Sequence, residues 1–233
     1  MNTPESIIQA AQSEGRKALF EHEAKELVRS FGIVVPRYVV VDPGDLQAIV
    51  TAGETLGFPV VLKAVSPDIL HKTDAGAVML NITTSAGLSS SIMTMKNMIA
   101  SRVPGAGIRY FLIEKMMPQG LELLIGGMRD AQFGPSVAFG LGGIWVEALK
   151  DTAFGILPLT HEELSDMIAQ TRAGLFLKGF RNSPPLDEEA VHLVITNLAR
   201  LLDEVPAIKE IDLNPVRVYA RSAAVLDVRV LLQ

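Results

Sequence analysis

The chain has 233 residues, 48% of them hydrophobic and 20% charged, with a net charge of −5 and no cysteine. Acidic and basic residues are interspersed, so there is no basic field for nucleic acid or anionic lipid, and disulfides and thiolate metal sites are excluded. No run reaches the roughly 18 apolar residues of a membrane helix, and the polar start MNTPESIIQAAQSEG lacks a signal peptide's apolar core, so a cytoplasmic protein is expected. A mean hydropathy of +0.31 points to apolar surface covered by a partner.

Apolar residues recur at three-to-four spacing over 5–31, which predicts helix, interrupted at Gly15 and stopped at Gly32. A strand is predicted at Tyr38–Val41, and Asp42-Pro43-Gly44-Asp45 then turns the chain and caps a helix over Leu46–Leu56. After a strand ending at Lys63 come a strand at Ala77–Ile82, a helix at Ala86–Ala100 and a strand at Tyr110–Glu114. This alternation indicates an α/β (α+β) lobe over 1–115. A second lobe, 116–233, is expected to carry strands at Glu122–Gly127 and Ser136–Phe139 and helices at Glu162–Thr171 and Asp187–Leu202. Thr160 and Glu163 have capping-box spacing. Residues 174–185 read as loop, and two strands, Glu210–Val218 and Ala224–Leu231, close the chain.

The informative stretch is PVVLKAVSPDILHKTDAG, residues 59–76. A buried apolar strand delivers Lys63, and Pro67 then breaks the ladder because it has no N–H to donate. The loop that follows carries His71, Lys72, Thr73 and Asp74. An ammonium can neutralise phosphate as a point cation, and an imidazole can accept a phosphoryl group. Asp74 is close enough in sequence to orient the His71 ring. A solvated turn fits the same residues.

Asp212 and Asn214 alternate onto one face of the first closing strand, and Asp227 sits at matching depth on the next. Two carboxylates and an amide make a hard-oxygen Mg2+ site, although Asp-Leu-Asn-Pro also reads as plain turn chemistry. The Gly140-Leu141-Gly142-Gly143 run can bring the N–H groups of Gly142 and Gly143 near a phosphate, or simply make a tight turn. Arg129, at a strand turn, is a candidate phosphate or carboxylate ligand. His22, His161 and His192 fall in helical or capping positions and read as structural.

The stretches EHEAKELVRSFGIVVP, PVVLKAVSPDILHKTDAGAV, IEKMMPQGLELLIGGMRDAQFGPSVAFGLGGI, IDLNPVRV and LDVRV resemble the β subunit of an NDP-forming acyl-CoA synthetase (acetate–CoA ligase, ADP-forming), an ATP-grasp protein. They are similar, more distantly, to the β subunit of succinyl-CoA synthetase. Ala77 departs from the pattern, which commonly has a second glycine there. The resemblance implies two ATP-grasp lobes with a nucleotide cleft between them. It implies Lys63 on the phosphates of ATP or ADP, Glu114 and the backbone near Met116 on adenine, Glu122 on ribose, and Mg2+ on Asp212, Asn214 and Asp227. It also implies that His71 relays a phosphoryl group.

A CoA-binding α subunit is then an expected partner, in an α2β2 assembly acting on a small acid or acyl phosphate, because nothing in this chain resembles a CoA site. The chain runs from Met1 to soon after the last motif, which is read as a separate β subunit. Two other readings stay open: a self-contained ATP-grasp carboxylate ligase in which His71 is structural, and a nucleotide-binding regulatory module without turnover.

Overall fold

A computed structural model describes residues 3–69, 72–143 and 151–233. The chain divides into two units, Pro36–Pro118 and Met1–Val35 with Gln119–Gln233. The N-terminal segment forms α1 (Pro4–Ser13) and α2 (Glu21–Ser30), separated around Gly15 as its pattern predicts. The Pro36–Pro118 unit then adds β1 (Tyr38–Val41), α3 (Leu46–Leu56), β2 (Val60–Val65), β3 (Val78–Ile82), α4 (Ser85–Arg102) and β4 (Tyr110–Lys115). Its sheet has the order β1-β4-β2-β3, with every described pair antiparallel. Alternating strands and helices therefore give an α+β lobe here, because β4 returns between β1 and β2 and runs against both.

One face of this sheet is covered by the two helices. Ile49 and Leu56 of α3 and Leu88, Ile92, Met95 and Ile99 of α4 pack with Leu62, Ala64, Phe111 and Ile113. Strand alternation puts Val61, Lys63, Val65, Leu112 and Glu114 on the other face, where all five are also buried.

The second unit continues with β5 (Leu121–Asp130), β6 (Gly134–Leu141), β7 (Thr152–Ile156), α5 (His161–Ala169), α6 (Arg172–Leu177), α7 (Glu188–Glu204), β8 (Ile208–Tyr219), β9 (Ser222–Val225) and β10 (Val228–Leu232). The sheet order is β10-β8-β5-β6-β7, with β9 also paired to β8. Leu123, Ile125, Phe139, Ile211, Leu213, Val216 and Val230 turn inward against Leu164, Ile168, Ile195 and Leu198. The residues between them point to the opposite face of the sheet, away from these helices.

Three local expectations change. Strand β7 was not anticipated, and α6 runs into the start of what read as loop. Helix α6 forms because the Thr171 hydroxyl caps it, accepting from Gly174 N–H at 3.1 Å. The single strand expected at Ala224–Leu231 is two strands, for a reason given below. The lobe boundary changes as well, since residues 1–35 pack with the second unit and not with 36–115. Leu19 N–H donates to the Val230 carbonyl at 3.1 Å, Val225 N–H donates to the Val34 carbonyl at 2.8 Å, and Ile7, Ala11, Leu27 and Val28 join the second core. Among the described residues, no helix is long and apolar enough to cross a membrane.

Candidate active site

The second unit assembles an oxygen-rich cluster from a strand defect. On β5, Leu123 and Ile125 are two residues apart, but their partners on β8, Val216 and Leu213, are three apart. Strand β8 therefore carries one extra residue, a bulge at Asn214-Pro215. Pro215 has no N–H to give the ladder, so the strand on β8's outer side breaks opposite it, into β9 and β10. Asp227 sits in that break. Asn214 N–H donates to the Asp227 carbonyl at 3.2 Å, and Leu226 N–H donates to the Pro215 carbonyl at 2.9 Å.

Asp212 pairs with Gly126 on one side and Arg229 on the other, on the face opposite the core of Leu164, Ile195 and Leu198. Burial pushes its carboxyl up to about 6, and the neighbouring Asp227 carboxylate pushes it in the same direction against the pull of Arg229. Two carboxylates forced together beside an amide oxygen form a donor set that fits Mg2+, since a hard dication would offset their repulsion.

Lys25 went unnoticed in the sequence, yet it supports this turn. It is wholly buried, paired with Glu21 at 3.1 Å, and its Nζ donates to the Leu226 carbonyl at 2.9 Å. A lysine one helical turn after a glutamate gives no hint that it reaches a backbone carbonyl about 200 residues on. Lys25→Met is expected to cost about 3–5 kcal/mol of stability, because the buried Glu21 and the Leu226 carbonyl both lose the Lys25 ammonium. It should also loosen the turn that presents Asp227. Urea unfolding with and without Mg2+ measures both effects, and an unaltered midpoint would remove Lys25 from this role.

The glycine run does something different from cradling phosphate. Gly142 N–H is donated to the Glu122 carbonyl at 2.8 Å, and Gly143 N–H to Asn214 Oδ1 at 3.3 Å. These two N–H groups therefore serve the fold, in place of the phosphate contact read from the sequence. A Cβ on Gly142 would lie 2.5 Å from the Leu123 carbonyl carbon, and Gly143 has φ +62° with the Glu122 carboxylate where a side chain would go. The glycines thus let the chain pass close over β5 and hold Asn214. Glu122 is anchored on the same strand by an ion pair with Arg217, its register partner.

Arg129 does not join the cluster. It projects from β5 toward the helix-covered face, like Gly127, and its Nη2 donates to the Leu202 carbonyl of α7. Alternation puts it on the wrong side of the sheet for Asp212, so the expectation of a phosphate ligand is corrected to that of a helix-end partner.

In the Pro36–Pro118 unit, Lys63 and Glu114 sit diagonally on neighbouring strands. Their side chains are buried, with Nζ and Oε2 3.7 Å apart. Met116 N–H is donated to the Pro59 carbonyl at 3.2 Å. His71 lies outside the described residues. Asp74 is exposed, and its backbone carbonyl accepts from Arg102 Nη1 at 2.9 Å. The shoulders of the loop are tied down on both sides. Asp68 Oδ2 accepts from Gly107 N–H at 3.1 Å, and Ala77 N–H donates to the Lys72 carbonyl at 2.7 Å.

Comparison with known proteins adds the context. The ATP-grasp domain family matches residues 10–232. The β subunit of acetate–CoA ligase [ADP-forming] I from Pyrococcus furiosus is 41% identical over 226 residues, which are 97% of this chain and 96% of that protein. A Ca. Korarchaeum cryptofilum dinucleotide-forming acetyl-coenzyme A synthetase 1, solved with coenzyme A, Ca-AMPCP and HgCl+, superposes with TM-score 0.94 and 37% identity, covering 99% of this chain and 100% of that one. The same synthetase with coenzyme A and Mg-AMPPCP, its phosphohistidine segment pointing towards the nucleotide binding site, gives TM-score 0.86 and 36% identity over 99% and 100%. With its two α+β units and a match over nearly its whole length, the chain belongs to the ATP-grasp family of β subunits of ADP-forming acetate–CoA ligases.

Proposed function

We propose that this chain is the nucleotide-handling half of an ADP-forming acyl-CoA synthetase, interconverting acyl-CoA, ADP and phosphate with carboxylic acid, CoA and ATP. The observation that carries this reading is the 41% identity to a ligase β subunit across 97% of the chain. Phosphate attacks the acyl-CoA carbonyl and expels CoA, giving an acyl phosphate. The acyl phosphate passes its phosphoryl group to the His71 imidazole and leaves as the acid, and the imidazole then passes the group to ADP. Such transfers need positioning and charge neutralisation more than covalent invention.

Within that reading Lys63 neutralises nucleotide phosphate, and Glu114 and Met116 meet the adenine. Because Met116 N–H is donated to Pro59, its adenine contact runs through the carbonyl. Glu122, fixed by Arg217 and the glycine run, takes the ribose. Asp212, Asn214 and Asp227 hold Mg2+, whose charge when bound offsets that of the phosphates. Asp74, exposed on the same loop, steadies the His71 ring. The CoA-binding partner is an α subunit, in an α2β2 assembly, and the cytoplasm is the compartment that holds both nucleotide and CoA.

The test mixes the purified chain with a CoA-binding α subunit and follows ATP made from acetyl-CoA, ADP and phosphate. The mixture should turn over and the chain alone should not, although it binds ADP. Full turnover by the chain alone would sink the two-subunit reading. In the same preparation Lys63→Ala should weaken ADP binding by about 1.5–3 kcal/mol, the scale of a charge-assisted hydrogen bond. Unchanged affinity by calorimetry would exclude Lys63 from the phosphates.

A further inference from the structure

The helix layer of the second unit holds two histidines that the nucleotide chemistry leaves unused. His161 is the first residue of α5, held there by a complete capping box between Thr160 and Glu163. His192 lies in the second turn of α7, whose start is fixed by Asp187 accepting from Ala190 N–H at 3.0 Å. The two Nδ1 atoms face each other 3.3 Å apart. Ligand atoms offered by His161, His192 and Glu189 all lie within 4.8 Å of one another.

A direct hydrogen bond between the rings leaves a problem. If His192 Nδ1 carries the proton and donates, its Nε2 is a bare acceptor; if His161 donates, His192 Nε2 carries the proton. In either case Nε2 is buried without a hydrogen-bond partner, on a residue only 5% exposed, and the nearest carboxylate, Glu188 Oε1, is 3.9 Å away.

A cation between the rings removes the choice of donor, because it takes a lone pair from each Nδ1. Two nitrogens bound tetrahedrally at about 2.0–2.1 Å stand about 3.3–3.4 Å apart, the separation found here. Metal on His192 Nδ1 also fixes the proton on Nε2, which then faces Glu188 in the arrangement of carboxylate, imidazole and metal that orients ligand histidines. We propose that His161, His192 and Glu189 form a binding site for a borderline transition-metal dication such as Zn2+ or Co2+, clamping α5 to α7. Imidazole nitrogen selects these ions over Mg2+, so the site differs in chemistry from the all-oxygen cluster on the opposite face of the sheet. Glu189 is exposed and already offers a carboxylate oxygen within 4.8 Å of the ring nitrogens.

The test titrates the full chain with Zn2+ by calorimetry in excess Mg2+, which occupies the oxygen site, and records the visible spectrum with Co2+. One Zn2+ per chain and the intense bands of a tetrahedral Co2+ centre are expected. His161→Ala and Glu189→Gln change exposed residues, and each should weaken Zn2+ binding by at least about tenfold. Unfolding in chelator verifies that both variants keep the fold. Absence of Zn2+ binding above Mg2+, or binding that both variants retain, overturns the proposal. Because ADP binding is read separately, failure here leaves the nucleotide chemistry intact, and failure there leaves this site intact.

Discussion

Replacing His71 with alanine should abolish the overall reaction, by at least about a thousandfold, the scale of losing a group on which a covalent step depends. Nucleotide affinity should stay within about 1 kcal/mol of wild type, since the imidazole serves transfer more than binding. On the proposed reading the acyl phosphate forms where CoA is held, on the partner, and the nucleotide is held by this chain. A carrier between them has to accept from one place and deliver to another. Imidazole suits this because it is nucleophilic near neutral pH and its phosphoramidate passes the group on readily. The segment around His71 is anchored at both shoulders, by Asp68 on Gly107 and by Ala77 on Lys72. The assay incubates the αβ complex with radiolabelled ATP and Mg2+ and looks for acid-labile, base-stable label on this chain. Label confined to α, together with wild-type ATP synthesis by His71→Ala, would make His71 a structural loop residue.

The sequence made local elements legible wherever local chemistry decides them. Tyr38–Val41 and Leu46–Leu56 come out with the boundaries expected, because turn residues and caps mark their ends. Alternation anticipated that Asp212 lies near Asp227, but not the bulge at Asn214-Pro215 or the strand break in which Asp227 sits. Long-range contacts were hidden. Nothing near Lys25 announces its bond to Leu226, and residues 1–35 join the second sheet through pairing with the last strand of the chain. Arg129 was misread because a side chain's type does not reveal which face of a sheet it takes. The glycine run was misread for a related reason. Its N–H groups are consumed by Glu122 and Asn214, partners that only the fold brings near. The histidine pair escaped because its members are 31 residues apart on different helices.

Asp227→Asn should raise the Mg2+ concentration needed for turnover by about tenfold or more, because a hard dication loses one of two carboxylates. It should also leave a second signature in pH. Burial first and Asp227 second push the Asp212 carboxyl from its ordinary 3.8 up to about 6. A folded state that holds its proton more tightly than the unfolded chain gains stability as pH falls from about 6 toward 4. Mg2+ requires the ionised carboxylate and competes with that proton. Stabilisation by Mg2+ should therefore be largest above pH 6 and shrink as pH drops through it. Removing the Asp227 charge leaves burial as the main cause, so the midpoint of this loss should move to lower pH while the stabilisation itself becomes smaller. Thermal unfolding across pH, with and without Mg2+, measures both effects in one series. A variant with the wild-type Mg2+ titration and the wild-type midpoint would mean that the ion is held elsewhere and that Asp212 and Asp227 do not share it.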